Sequence, residues 1–409
     1  VIVLLLLAFN LTLEDAIEMG LKESPIYLKA KKNFIIEQKT NSFVHSELLP
    51  EINGGYSWVR THSETEGVSL FDTTSGYSLS ATWEVSPGDL FNSFGTHYRN
   101  SSAYYSFVDA QNSVIYDIAF QYLKTLMMQK LLKSRNAAVA RTEKNLNLIE
   151  EKKTLGLASN AELLKAKVDY FQSKINLLDI KKQARVSALM LNNILGLMVR
   201  DSLELEEPQV EFEIPAKDSI LYMAMESDPL YNKYKSESSA AKYDLLGGTT
   251  EDLFSVSLFG DFQYSGDDFP SSSVLQDNYD YSIGLMVTVP IFTGFSRWNK
   301  LTVNRLKKDL ADINLHDRKR ELNVAVEDEY LSYKETEEKL DLAVATLEFA
   351  QESHTATVER YTLGEASVIE FLEAEEDLLE AEYSMTQARF DWYLSVYKIK
   401  RLIGNLIVK

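Results

Sequence analysis

Two glutamates stand three residues after a serine in look-alike settings, Ser159-Asn160-Ala161-Glu162 and Ser367-Val368-Ile369-Glu370. A serine followed at that distance by a carboxylate is the capping box that opens a helix, each group taking a backbone N–H that the first turn leaves free. Glu373 has no capping role and lies one turn beyond Glu370, on the same helix face. Nothing else in the chain is arranged to make or break bonds. His45, His62, His97, His316 and His354 are scattered without metal-ligand spacing. There is no Gly-x-Ser-x-Gly, no HExxH and no phosphate-binding glycine loop, and Gly247-Gly248 reads as a turn. The chain has no cysteine, which removes disulfides, thiolate metal sites and a nucleophilic thiol. A non-enzyme without a cofactor is expected, and a net charge of -19 argues against a nucleic-acid partner.

The elements that hold these carboxylates come in pairs. Thr154-Leu155-Gly156-Leu157-Ala158-Ser159 recurs as Thr362-Leu363-Gly364-Glu365-Ala366-Ser367, 208 positions later. Each copy lies between long helical patterns, so each reads as the tip of a helical hairpin, its glycine in the left-handed conformation that ends a helix. The same offset relates Tyr122-Leu123 to Tyr330-Leu331 and Gly196 to Gly404, whereas an offset of 204 relates Pro25 to Pro229 and Tyr77-Ser78 to Tyr281-Ser282. A tandem duplication with a four-residue insertion after about residue 290 accounts for both. The expected plan is an apolar signal-peptide remnant at 1–10, a first repeat at 11–205, a linker at 206–217 and a second repeat at 218–409.

Within each repeat the helical period gives way to a period of two. Ile52, Gly54, Tyr56 and Trp58 oppose Asn53, Gly55, Ser57 and Thr61; Tyr77, Leu79, Ala81, Trp83 and Val85 oppose Ser78, Ser80, Thr82, Glu84 and Ser86. Val256, Leu258, Phe262 and Tyr264 oppose Ser257, Asp261, Gln263 and Ser265, with Phe259 out of step; Tyr281, Ile283, Leu285, Val287 and Val289 oppose Ser282, Gly284 and Thr288. Four strands follow, at 52–62, 76–86, 255–265 and 280–290, in two hairpins. A soluble antiparallel sheet alternates in the same way. The polar face here is built mostly of Ser, Thr, Gly and Asn, which suits a watery lumen, and the apolar face with its Tyr and Trp suits lipid. About ten residues is also the length a tilted strand needs to cross a bilayer. Two hairpins close no barrel, and lipid does not tolerate open edges, so several copies must share one wall. Three is the smallest number that leaves a conduit.

The rest is helix, expected at 13–49 with an interruption at Ser24-Pro25, and at 100–197, 218–247 and 300–404, with tips at 154–159 and 362–367. After the second tip Phe371, Leu378, Met385, Trp392 and Ile399 recur every seventh residue, interleaved with Ala374, Ala381, Ala388, Ser395 and Leu402; Leu163, Tyr170, Leu177, Ala184 and Leu191 do the same after the first, with Ala166, Ser173, Ile180, Ser187 and Ile194. Large and small registers of this kind interlock helices closely. The narrow stripe suits a single-layer wall of helices. A soluble periplasmic coiled-coil scaffold without a pore shares the pattern and stands as the competing reading.

Together these residues resemble the TolC-like outer-membrane efflux protein family. The likeness rests on Leu11-Thr12-Leu13-Glu14-Asp15-Ala16, Leu48-Leu49-Pro50, Val289-Pro290-Ile291-Phe292-Thr293-Gly294, Tyr361-x-x-Gly364 and Leu402-Ile403-Gly404, in this order within a duplicated chain. The resemblance implies an α+β membrane protein: a trimeric 12-stranded transmembrane β-barrel, four strands per chain, continued by a long periplasmic α-helical barrel. It implies a passive exit duct for efflux or type I secretion, whose tips dock a periplasmic adaptor and, through it, an inner-membrane RND or ABC pump. Leu155, Gly156, Leu157, Ala158 and Ser159, with Leu363, Gly364, Glu365, Ala366 and Ser367, would be the docking tips. Tyr361 falls on the family's gating tyrosine, Glu162 on its acidic partner, and Glu370 and Glu373 on the acidic ring; Ala366 replaces a closing arginine. Threefold symmetry would bring six of those ring carboxylates around one axis, a constriction that attracts cations. The lipid-facing set would be Tyr56, Trp58, Tyr77, Leu79, Trp83, Val85, Leu258, Phe262, Tyr264, Tyr281, Ile283, Leu285 and Val287.

Overall fold

The computed structural model describes residues 10–46, 48–65, 68–197, 203–209, 213–266 and 279–404; the apolar run at 1–9 and residues 210–212 of the linker lie outside them. The elements run β1 (Asn10–Leu11), α1 (Leu13–Glu23), α2 (Pro25–Ser46), β2 (Glu51–Thr65), β3 (Val68–Val85), α3 (Pro87–Thr154) and α4 (Asn160–Ile194). They continue with β4 (Glu204–Leu205), α5 (Lys217–Ser227), α6 (Pro229–Thr250), β5 (Ser255–Gly266), β6 (Tyr279–Thr288), α7 (Ser296–Leu363) and α8 (Val368–Leu402). The two halves match in length: α1 and α5 have 11 residues each, α2 and α6 have 22, α3 and α7 have 68, and α4 and α8 have 35.

Several boundaries differ from the sequence expectation. The interruption expected at Ser24-Pro25 lies between α1 and α2, and the helix expected whole at 218–247 is broken before Pro229, because a residue preceding proline is driven out of the helical region. The long hairpins begin at Pro87 and Ser296 rather than at 100 and 300. Ser86, expected as the last strand residue, opens α3 instead: its N–H and hydroxyl reach Asp89 Oδ2 at 2.7 and 2.8 Å, and Pro87 takes the first helical position. Gly247-Gly248, expected as a turn, lies inside α6. A Cβ at Gly247 would fall 2.2 Å from Asn92 Oδ1, and one at Gly248 would fall 2.3 Å from Asn304 Nδ2. The pair therefore admits α3 and α7 at close range, despite the helix-weakening cost of glycine.

The chain divides into two compact units. One comprises 1–32, 107–229 and 319–409; the other comprises 33–106 and 230–318. In the first, α1 packs on the hairpin of α3 and α4 through Leu13, Ala16, Ile115, Ile118, Tyr122, Leu191 and Leu195. Gly20 permits that approach, since a Cβ there would sit 2.3 Å from Ile118 Cδ1. The Tyr122 hydroxyl lies 2.6 Å from the carbonyls of Leu11 and Glu206, and so ties down the parallel pair β1–β4. In the second half α5 packs on α7 and α8 in the same manner, through Ile220, Ala224, Leu322, Val326, Val396 and Ile399. Each such aliphatic side chain contributes roughly 1.5–3 kcal/mol when fully buried. The seven-residue stripe turns inward as expected, with Phe371, Ala374, Leu378, Ala381, Ser395 and Ile399 all buried. Its small members bond across the seam: Ser173 to Thr142 at 2.8 Å, Ser187 to Thr125 at 2.9 Å and Ser395 to Thr336 at 2.9 Å.

The second unit carries one four-stranded antiparallel sheet, ordered β2-β3-β5-β6. β2 and β3 run to Thr65 and from Val68, beyond the expected 52–62 and 76–86. Beside the sheet, α6 is fixed to α3 by Arg99–Asp244 at 2.6 Å and by the stacked rings of Tyr98 and Tyr243, 5.5 Å apart.

Candidate functional site

Two places carry the features that composition and pattern marked out: the sheet and the hairpin tips. No group of His, Asp and Glu able to hold a metal occurs among the described residues. No described helix is long and apolar enough to cross a membrane.

In the sheet, register decides which side chains share a face, because a slip of one residue would turn a whole strand over. Tyr56, Tyr77, Tyr264 and Tyr279 align in one transverse row across all four strands. Below them come the rows Gly54-Leu79-Phe262-Tyr281, Ile52-Ala81-Gly260-Ile283, Trp83-Leu258-Leu285 and Val85-Val256-Val287. Trp58 stands on the same face beyond the tyrosines, opposite Ser75. The apolar face is thus continuous over the sheet, and much of it is bare in the protomer: Ile283 is 78% exposed, and Ile52, Leu79, Tyr281, Leu285 and Val287 are more than half exposed. Tyr264 departs from the expected lipid-facing set. It shares the face, but it is only 1% exposed and lies beside the Tyr77 ring, so it packs within the protomer. The indole of Trp83 donates to the Leu48 carbonyl at 2.9 Å, which gives its polar end a partner at the edge of the greasy band.

The opposite face consists of rows such as Asn53-Ser80-Asp261-Ser282 and Gly55-Ser78-Gln263-Asp280. Phe259, out of step in the sequence, stands on this polar face directly across from Gly284, where a Cβ would fall 2.3 Å from its ring. The ring occupies the space that the glycine leaves empty. β2 and β6 end the sheet and have no further strand partner among the described residues.

At the first tip, Gly156 (φ +70°) lets Leu157 N–H reach back to Lys152 O at 2.8 Å and its own N–H to Lys153 O at 3.1 Å. This is the Schellman closure of a helix. Gly364 (φ +81°) repeats it, with Glu365 N–H to Arg360 O at 2.8 Å and Gly364 N–H to Tyr361 O at 3.2 Å. Leu155, Leu157 and Leu363 point away from the protein, while Ala158 and Ala366 pack against the apolar cluster behind the tips. The two capping boxes differ. Ser159 N–H donates to Glu162 Oε2 at 2.6 Å and Glu162 N–H to Ser159 Oγ at 3.2 Å, a reciprocal pair that holds the Glu162 carboxyl below the usual glutamate range. Ser367 Oγ accepts from Glu370 N–H at 3.2 Å, but the Glu370 carboxylate turns to the Ser367 hydroxyl and to Arg360, each at 3.4 Å. The second box is therefore only half made. Glu373 is exposed on α8 and has no partner within the protomer among the described residues.

Tyr361 is buried behind the second tip. Its ring lies 5.3 Å from Phe371 with Lys152 Nζ 4.2 Å above it, and that ammonium also donates to the Tyr361 carbonyl at 3.3 Å. Burial raises the Tyr361 phenol pKa, and the charge of Glu162 raises it further. Glu162 thus acts on Tyr361 through its charge. Sequence reasoning missed the group just behind them: Glu375 on α8, Arg141 on α3 and His354 on α7. The available signal was Glu375 and Glu382, one heptad apart, both meeting Arg141.

With this geometry in view, residues 252–405 match the family described as Outer membrane efflux protein. This segment belongs to the outer membrane efflux protein family. No curated protein matches the chain. Among solved structures, the outer membrane channel CmeC of Campylobacter jejuni superposes with a TM-score of 0.81 at 18% identity, over 96% of this chain and 85% of that one. The outer membrane protein VceC of Vibrio cholerae gives 0.82 at 16%, over 96% of each chain. The open state of the MtrE outer membrane channel of Neisseria gonorrhoeae gives 0.79 at 14%, over 96% and 89%. The efflux protein family resides in the outer membrane, and the four-stranded sheet is the part of this chain suited to it. At such low identity the superpositions establish the fold over nearly the whole chain, including residues 1–251, which lie outside the family match.

Proposed function

We propose that this outer membrane efflux protein is the protomer of a trimeric passive duct. Three copies of its sheet form a 12-stranded barrel in the outer membrane, and its helical hairpins form a periplasmic passage. The observation that carries the reading is a sheet whose apolar face is continuous and largely bare, while both edges lack a strand partner among the described residues. In water the bare face would aggregate, and in lipid the open edges would cost several kcal/mol for each unsatisfied backbone group. Joining β6 of one copy to β2 of the next removes both liabilities. Strand direction alternates across β2-β3-β5-β6, so that seam is antiparallel like the rest of the sheet.

The tips are the periplasmic entrance. Leu155, Leu157 and Leu363 offer apolar contacts to the hairpins of an adaptor, which links the duct to an RND or ABC pump in the inner membrane. Glu370 and Glu373, repeated by symmetry, favour cations at that entrance. No residue constellation for catalysis accompanies them, so energy enters through the pump. The test is reconstitution of the purified protein in planar bilayers. Conductance with cation preference, reduced in Glu373→Gln, is expected. Absence of conductance, together with release of the protein from membranes by carbonate rather than by detergent, would favour the soluble scaffold.

A further inference from the structure

The two repeats pass from strand to helix in different ways. One residue, Ser86, stands between β3 and α3, whereas the seven residues 289–295 separate β6 from α7. The insertion expected after about residue 290 falls here, in Val289-Pro290-Ile291-Phe292-Thr293-Gly294-Phe295. The first repeat shows that the passage itself needs no such segment. Its apolar side chains stand in the open: Ile291 is 98% exposed, and Phe292, Phe295 and, at the start of α7, Trp298 are each more than two-thirds exposed. Val289 and Ile291 continue, at the same spacing, the bare file Ile283-Leu285-Val287 of the apolar face. The backbone is strained to present them. Phe295 (φ +63°) is the only non-glycine residue with a positive φ among the described residues, and Gly294 before it holds φ +61°. An aromatic residue resists that conformation, and such outliers collect where the side chain has a use. The Phe295 ring meets Phe292 edge-on with centroids 5.9 Å apart, so the two form one projection.

Charge separates the repeats at the same point. Residues 296–308 hold Arg297, Lys300, Arg305, Lys307 and Lys308 and no acid, in a chain of net charge -19. The matching residues 88–100 hold one acid, Asp89, and one base, Arg99. Lys300 and Lys308 are taken by Glu251 and Asp312. Arg305 and Lys307 have no ion-pair partner among the described residues, and Arg297 reaches only the Thr249 carbonyl, at 3.4 Å. Trp298 and Arg305 are seven residues apart, hence on one face of α7 and about 10 Å apart along it. Helical side chains lean toward the N-terminus, here the end next to the sheet, so the arginine reaches back toward the rings. Apolar rings followed by free cations match a bilayer boundary, where hydrocarbon gives way to roughly 5–7 Å of headgroups. A neighbouring copy fits them poorly. The helix that leads into the opposite edge strand, α2, carries Lys29, Lys31, Lys32 and Lys39 against one acid, Glu37, and would add charge of the same sign.

We propose that residues 289–298 form a foot set in the inner leaflet of the outer membrane, and that the cations behind it select anionic phospholipid over zwitterionic phospholipid. Phe292, Phe295 and Trp298 enter the acyl-chain boundary, and Arg297, Arg305 and Lys307 meet the headgroups. Phosphate is common to both kinds of lipid, so the preference comes from the net negative charge that zwitterionic headgroups lack. The inference rests on the reading of the sheet as part of a barrel in lipid.

The test uses the assembled protein in vesicles of equal parts phosphatidylcholine and phosphatidylglycerol, with bromine on the acyl chains of one lipid or the other. Bromine quenches tryptophan on contact, and Trp298→Phe separates the signal of Trp298 from that of Trp58, Trp83 and Trp392. Brominated phosphatidylglycerol should quench Trp298 at least threefold more strongly than brominated phosphatidylcholine does. High salt should bring that ratio toward one, and so should Arg297→Gln combined with Arg305→Gln. Should the double variant fail to assemble, Arg305→Gln, which breaks no bond within the protomer, should lower the ratio by itself. Equal quenching of Trp298 by the two lipids would overturn the selection. Quenching of the other tryptophans without Trp298 would show the foot covered by a neighbouring copy, which overturns the proposal and leaves the barrel standing. If no tryptophan were quenched, the sheet would lie outside lipid, and the duct and the foot would fall together.

Discussion

Ile283 and Ser282 are neighbours on β6 that face opposite ways, and the same substitution at both isolates what each face meets. Ile283 lies four residues from Tyr279 and four from Val287, about 13 Å of strand in each direction at roughly 3.3 Å per residue. It therefore sits near the middle of the apolar band. A lysine there on the lipid side costs about 2–4 kcal/mol per copy, or roughly 6–12 kcal/mol for an assembly of three. Ser282 faces the polar side directly across from Asp261, so Ser282→Lys gains an opposite charge and should cost under about 1 kcal/mol. The assays are urea unfolding of the protein in lipid vesicles and heat dissociation of the oligomer on gels. Ile283→Lys should abolish or strongly weaken assembly. Ser282→Lys should assemble normally and shift the reversal potential away from cations. If Ser282→Lys proved the more damaging of the two, or if both were harmless, the assignment of the faces would be wrong.

Gly284→Ala would place a methyl group within 2.3 Å of the Phe259 ring, and the ring must swing aside at a cost of about 1–3 kcal/mol, measurable by the same unfolding; Phe259→Ala in the same chain should relieve most of it. Gly364→Ala meets open space but must hold φ near +81°, so a loss of about 1–2 kcal/mol confined to the α7–α8 tip should appear as faster amide exchange there. Ser159→Ala removes the N-cap of α4 and should cost about 1 kcal/mol. Because the bond from Ser159 N–H lowers the Glu162 pKa, the box adds stability that is fully present above the ordinary glutamate range and lost as the pH falls through the lowered value. In Ser159→Ala, part of that acid-side loss should vanish from melting curves taken between neutral and low pH.

Much of this was legible because two simple periods dominate. The alternation that groups Tyr77, Leu79 and Val85 on one face needs only the local chain, and so does the spacing of Phe371, Leu378 and Ile399 along one seam. What the sequence hid depends on partners far away in the chain. β2 continues past its expected end at His62 through Ser63, Glu64 and Thr65, where alternation fades but the backbone ladder between β2 and β3 does not. Gly247-Gly248 looked like a turn because the reason for two glycines inside a helix lies in Asn92 and Asn304. Tyr264 looked like its neighbours on β5, and only the fold shows it covered. Glu375 was one acid in the run Glu373-Ala374-Glu375-Glu376-Asp377, and nothing local separates a buried carboxylate from a solvated one. His354 read as an isolated histidine for the same reason. The capping boxes were visible as motifs, yet which carboxylate closes its box depends on Arg360, present at one tip only.

The matched helix lengths of the two halves carry a consequence for how such a ring can change. In a ring of six identical pieces, any altered side chain would appear at every position at once, and a new negative charge would face five copies of itself. Fusing the halves into one polypeptide lets alternate positions drift apart. The first tip keeps Leu157 where the second has Glu365, on nearly the same backbone trace. In the proposed trimer a partner approaching that rim would meet greasy and charged knobs by turns, and so would be oriented rather than merely held.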